Sequence, residues 1–144
     1  MRPAAHGGVA RDVLLVGGDG FLGAAIARAL FAEGRRVTTL SRGRHAPVAG
    51  AERLIADRRD ARALAGVLRD RRFDLTVDLA AYDALDVETL WHVPGASLGR
   101  TLLVSSGQVY LVTETTRRVH REPDSRKPVM PQPAAGSPEH AQWS

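Results

Sequence analysis

The chain has no cysteine, a single lysine (Lys127), and only two tryptophans, two tyrosines and three phenylalanines in 144 residues. Without cysteine there is no disulfide framework and no thiolate metal site, and a reducing cytoplasm is the expected compartment. The five histidines, His6, His45, His92, His120 and His140, fall at no metal-ligand spacing, so no metal site is expected. No stretch supplies the roughly 18 uninterrupted apolar residues of a membrane span. The nearest, Val13–Leu30, is broken by Asp19 and Arg28. The net charge is +4 and the pI about 10.6, carried almost wholly by arginine. Too few aromatics accompany that charge to form a stacking platform, so nucleic acid is not the expected partner.

What is present is ordinary globular material, 44% hydrophobic and 25% charged, enough for one domain. Short apolar runs alternate with helical patterns. Strands are expected at Asp12–Val16, Arg36–Leu40, Arg53–Ala56, Leu75–Ala80 and Thr101–Ser105. Helices are expected at Phe21–Glu33, with Leu22, Ala25, Ile26, Ala29 and Leu30 as the apolar stripe, and at Asp60–Asp70, with Leu64, Val67 and Leu68 on one face. A third, Asp83–Leu98, is interrupted by Pro94-Gly95. This alternation implies an α/β fold, a doubly wound parallel sheet. The domain is expected to span residues 12–111. Residues 112–144, which hold five of the eight prolines and two basic pairs, read as an extended or disordered tail.

The stretch VLLVGGDGFLG, Val13–Gly23, carries the clearest chemistry. Gly17, Gly20 and Gly23 form G-x-x-G-x-x-G between a strand and a helix, the context in which such a loop holds a dinucleotide pyrophosphate. The first glycine permits the turn, the second lets phosphate approach the backbone, and the third lets helix and strand pack. The amides that open the helix, from Phe21 and Leu22 onward, then point at the anion. A plain glycine-rich turn is the alternative. At the end of the second strand, Leu40-Ser41-Arg42-Gly43-Arg44 has no carboxylate to accept from a ribose 2′-hydroxyl. Arg42 and Arg44 suit a 2′-phosphate, with Ser41 as a further donor, which favours NADP over NAD. Solvated loop arginines are the alternative.

Taken in order, GGDGFLG, LSRG, IADRRD, DLAAYD and VSSGQVY resemble the extended short-chain dehydrogenase/reductases, the NAD-dependent epimerase/dehydratase family, over Val13–Tyr110. The resemblance implies a Rossmann-like sheet, cut after about its fifth strand. It implies that Asp57 hydrogen-bonds the adenine amino group with Arg58 beside it, although a helix-start charge explains Asp57 as well. It implies that Leu79, Ala80 and Ala81 line the cofactor, Asp78 standing where relatives often carry histidine. Ser106 matches the family's catalytic serine, with strand-end hydrogen bonding as its alternative.

The family's proton-transfer pair is a tyrosine four residues before a lysine, the lysine lowering the phenol's pKa. Here Asp86 stands four after Tyr82, Glu114 four after Tyr110, and Pro123 four before Lys127. The pair is absent. The expected function is therefore that of the cofactor-binding N-terminal part of an enzyme acting on a sugar nucleotide or similar carbinol, inactive alone, which takes substrate only when completed. A dedicated NAD(P)-sensing module and an RNA-associated relative are the alternatives. The last apolar strand, Thr101–Ser105, is expected at or near a sheet edge, where it invites self-association.

Overall fold

Strand β1, Asp12–Val16, forms where the apolar run predicts it, and four of its five residues are buried. The structure, a computed structural model, describes residues 10–105. After β1 come α1 (Phe21–Ala32), β2 (Arg36–Ser41), β3 (Glu52–Ile55), α2 (Ala61–Leu68), β4 (Leu75–Asp78), α3 (Ala84–Trp91) and β5 (Arg100–Leu103). All pairings among the five strands are parallel, in the order β3-β2-β1-β4-β5. The expected boundary at residues 111 and 112 and the tail lie outside the described residues.

Successive side chains of β1 point to opposite faces of the sheet. Leu14 and Val16 pack with Leu40, Leu54, Leu64, Leu68 and Leu90 on the face covered by α2 and α3. Val13 and Leu15 pack with Ala27, Val37 and Val77 on the face covered by α1. Burial on both faces is why β1 reads as a continuous apolar run rather than an alternating one. No helix among the described residues is long and apolar enough to cross a membrane.

The α1 face is rotated from the expected stripe. Gly23 and Ala27 are its buried residues, flanked by Ile26, Leu30 and Phe31, while Leu22, Ala25 and Ala29 are exposed. The helix lies so close to the glycine loop that a Cβ on Gly23 would stand 2.5 Å from the Gly18 carbonyl oxygen. Its smallest residues, not its largest, therefore mark the line of contact.

Several ends also differ by a residue or more. The α2 pattern begins at Asp60, whose carboxylate caps the helix by accepting from the backbone N–H groups of Arg62 and Ala63. Strand β4 stops at Asp78 instead of Ala80, because the Asp78 carboxylate accepts from the Ala80 N–H and turns the chain. Helix α3 stops at Trp91. The chain then turns at Gly95, with φ +78°, and the Ser97 carbonyl accepts from Phe73 N–H at 2.8 Å. Strands β3 and β5 each begin one residue earlier than expected, and β5 ends at Leu103 rather than Ser105.

Candidate functional site

The strand order runs outward from β1 in both directions, through β2 to β3 and through β4 to β5. Such a reversal opens a crevice at the carboxyl ends of the strands, where doubly wound sheets hold ligands. Here a cleft of about 440 Å³ lies there, with Gly17 and Gly20 among its lining.

The glycines of the loop meet different demands. Gly17 has φ +80° and donates its N–H to the Leu40 carbonyl at 2.8 Å, so it makes the turn and ties it to β2. Gly20 precedes α1 at an ordinary φ of −76°, and a Cβ there would meet nothing nearer than the Gly17 carbonyl oxygen at 3.5 Å. Its missing side chain leaves open space beside the helix start. Gly23 lies off the cleft, in the helix–loop contact. Gly18, which the triplet pattern passes over, is as constrained, since a Cβ would fall 2.7 Å from Thr39 Cγ2.

Asp60 and Asp83 cap α2 and α3 with carboxylates, whereas α1 has no side-chain cap. The first-turn N–H groups of α1 thus remain for an external acceptor. Phe21 is 95% exposed and Leu22 about half exposed, and neither side chain lines the cleft. What they offer an anion is backbone.

At the end of β2, Arg42 and Arg44 line the cleft. Ser41 does too, but its hydroxyl is already engaged. It donates to Asp19 Oδ2 at 2.5 Å and accepts from the Gly43 N–H at 3.1 Å. The same Asp19 oxygen accepts from Arg53 Nε at 2.9 Å. Burial pushes the Asp19 carboxyl upward, but hydrogen bonds from Ser41 and Arg53 and the arginine's charge outweigh it and hold the group below its ordinary value.

Beyond β3, Asp57 lies on the cleft rim, where its carboxylate accepts from the Arg59 N–H at 2.9 Å. The α2 cap is Asp60, and Asp57 stands four residues before the helix begins at Ala61. Arg58 lines the cleft but is not a free cation. It donates to both Asp78 oxygens, at 2.7 and 2.9 Å, and to the Asp86 carbonyl at 2.6 Å. Arg59 pairs in turn with Asp86 at 2.8 Å and Asp83 at 2.7 Å. The Arg59 hydrogen bond, against the opposing effect of burial, brings the Asp86 carboxyl down to about 2. These carboxylates serve as arginine partners and a helix cap. Leu79 and Ala80 line the cleft; Ala81 does not. Tyr82, which the sequence reading passes over as a lining residue, stands at the cleft 91% exposed. Ser106 lies outside the described residues.

Known proteins bear on this arrangement. Solved structures resemble the chain at the level of fold. A protein from Burkholderia cenocepacia J2315, provisionally assigned as an epimerase, is 26% identical with a TM-score of 0.65, over 92% of this chain and 46% of that one. A UDP-glucose 4-epimerase is 17% identical with a TM-score of 0.59, over 72% and 38%. MoeE5, solved with UDP-glucuronic acid and NAD, is 22% identical with a TM-score of 0.56, over 69% and 38%. The matched part thus spans less than half the length of these structures. No curated protein matches the chain. The model of the NAD dependent epimerase/dehydratase family matches residues 13–90, more than half the sequence and all of the cleft's glycine loop, β2 end and β4 end. The chain belongs to the NAD dependent epimerase/dehydratase family.

Proposed function

We propose that the chain binds NAD(P) in this cleft and prefers NADP. The observation that carries the reading is the α1 start. It is a helix without a side-chain cap, preceded by a glycine whose absent side chain leaves room, opening on a cleft large enough for part of a dinucleotide. In this reading Gly17, Gly20 and the amides of Phe21, Leu22 and Gly23 hold the pyrophosphate. Asp57 on the rim accepts from the adenine amino group. The packed Arg58 walls that end, and Leu79 and Ala80 leave room for the ribose. Arg42 and Arg44 face the 2′-phosphate, where no carboxylate from the end of β2 competes.

When bound, the nicotinamide supplies hydride exchange at a carbinol carbon. Several structures of similar fold bind or act on sugar nucleotides, which makes that the proposed substrate class of the parent reaction. Within these 144 residues neither tyrosine has a lysine four positions on. The chain by itself is accordingly proposed to hold the cofactor without turnover, with Ser106 lacking a proton-transfer partner. Self-association through β5 belongs to the same proposal, since Leu102 and Leu103 are about half exposed on the last strand of the sheet order.

Calorimetric titration with NADPH and NADH tests the reading. NADPH should bind the more tightly, and Arg42→Ala should narrow the ratio. A charge-assisted contact to phosphate is worth about 1.5–3 kcal/mol, or roughly tenfold to hundredfold in affinity. Equal affinities in the unmodified chain would refute the NADP preference, and no binding of either would refute the cofactor site.

A further inference from the structure

The side chain of Asp19 is 0% exposed, so a ligand in the cleft does not touch it. Yet among the described residues it is the one carboxylate that joins the glycine loop to the two strands beyond it. It receives Ser41 at the end of β2 and Arg53 on β3. Ser41 Oγ in turn accepts from Gly43 N–H, and the Arg53 guanidinium reaches forward to the His45 carbonyl at 2.6 Å. The segment that carries Arg42 and Arg44 is therefore fastened at Ser41, Gly43 and His45 by side-chain bonds that lead back to one buried carboxylate, beside the backbone bond from Ala56 N–H to the Ser41 carbonyl at 3.0 Å.

We propose that Asp19 is the positioning residue for cofactor selectivity: through Ser41 and Arg53 it fixes the Arg42–Arg44 turn in the place where it reads a 2′-phosphate. The inference rests on the cofactor reading above and adds to it a residue that never meets the ligand. Its negative charge does not repel the phosphate, because Arg53 is paired with it beneath the turn. Asp19 also spends the Ser41 hydroxyl, so Ser41 acts by shaping the turn and not as a phosphate donor. A segment released from these ties has to be ordered again on binding, which weakens the contacts it makes. The pyrophosphate contacts come from loop and helix amides, and the loop keeps its own tie to β2, from Gly17 N–H to the Leu40 carbonyl, whatever stands at position 19. The cost therefore falls on NADPH more than on NADH.

The test is calorimetric titration of the full chain with NADPH and with NADH, beside thermal melts, for the unmodified protein and for Asp19→Asn, Ser41→Ala and Arg53→Lys. Asp19→Asn and Ser41→Ala should weaken NADPH about tenfold, the loss of about one charge-assisted contact, and NADH by less than about twofold. Arg53→Lys keeps a cation beside Asp19 and should retain more NADPH affinity than Asp19→Asn. Ser41→Ala removes one hydroxyl and keeps the test readable if Asp19→Asn does not fold. Equal losses for the two cofactors would show a purely structural role and overturn the proposal, as would an unchanged ratio in folded variants. If the unmodified chain binds neither cofactor, the cofactor reading itself fails; if it binds both and only the variants disappoint, this inference fails alone.

Discussion

Gly20 and Gly23 belong to one motif, but the structure separates what each contributes, and substitutions at the two positions should act in different ways. A Cβ on Gly23 would lie 2.5 Å from the Gly18 carbonyl oxygen and 2.6 Å from its carbonyl carbon and Cα. All three are backbone atoms in a loop pinned by Gly17 to β2, so the strain cannot be relieved by turning a side chain. Overpacking of this kind costs about 1–3 kcal/mol, and a backbone clash belongs at the top of that range. For a domain of this size about 3 kcal/mol lowers Tm by roughly 12–24 °C. At Gly20 a Cβ meets only one atom, at 3.5 Å, and φ is −76°. Gly20→Ala should leave Tm within about 2 °C of the unmodified chain, or raise it slightly by restricting the unfolded chain. Bulkier Gly20→Val should abolish cofactor binding by filling the pyrophosphate's place. Thermal melts with and without NADPH, read beside a calorimetric titration, separate the two effects. Gly23→Ala with an unchanged melt would refute the packing argument, and Gly20→Val with unchanged affinity would refute the phosphate argument.

Other outcomes follow from the charge network. Arg58 and Asp78 form a nearly buried bidentate pair, with side chains 11% and 3% exposed. Asp78→Leu alone should therefore cost about 3–5 kcal/mol, and adding Arg58→Leu should recover most of it, as urea midpoints will show. A single variant losing less than about 1 kcal/mol would mean that the pair is solvated. The Asp86 carboxyl is lowered from 3.8 to about 2, so its contribution is present above pH 3.8 and is lost as the pH falls through about 2. Screening at the half-exposed Arg59 keeps that contribution below what the shift alone would give. Asp86→Asn should accordingly flatten the acid limb of the stability profile, and parallel limbs would count against the assignment. Asp60→Ala removes the α2 cap and should cost about 1 kcal/mol without changing cofactor affinity, measured by denaturation and titration together.

What could be read from the sequence was local. Strand β1 and the Gly17-Gly20-Gly23 loop announce themselves within eleven consecutive residues, and the alternation of elements implies the parallel sheet. The buried face of α1 is not legible from apolar size, because Gly23 packs by having no side chain at all. The Arg58–Asp78 pair joins residues twenty apart that only the sheet order brings together. Asp78 standing in an apolar strand where relatives often have histidine was the available signal, and it called for a cationic partner. Asp19 carried a weaker one, a carboxylate inside a loop that otherwise suits an anion. Such a group has to be neutralised from elsewhere, but nothing local names Arg53.

The central place of β1 also has a consequence in time. It is the first strand to leave the ribosome among the described elements, yet one of its two neighbours is the fourth strand in the chain. Val13 pairs with Val37 on one side and with Leu75, 62 residues later, on the other. At roughly 5–20 residues per second, about 3–12 s of synthesis separate the strand from its second partner. During that interval β1, α1 and β2 can close as a unit around Val13, Leu15, Ala27 and Val37. The opposite edge of β1, with Leu14 and Val16 still uncovered by α2 and α3, stays open until β4 arrives. Parallel pairing allows no shortcut through a tight hairpin. The nascent chain's most apolar strand therefore waits longest for its second neighbour, and this interval is when a chaperone or a misdirected strand has access to it.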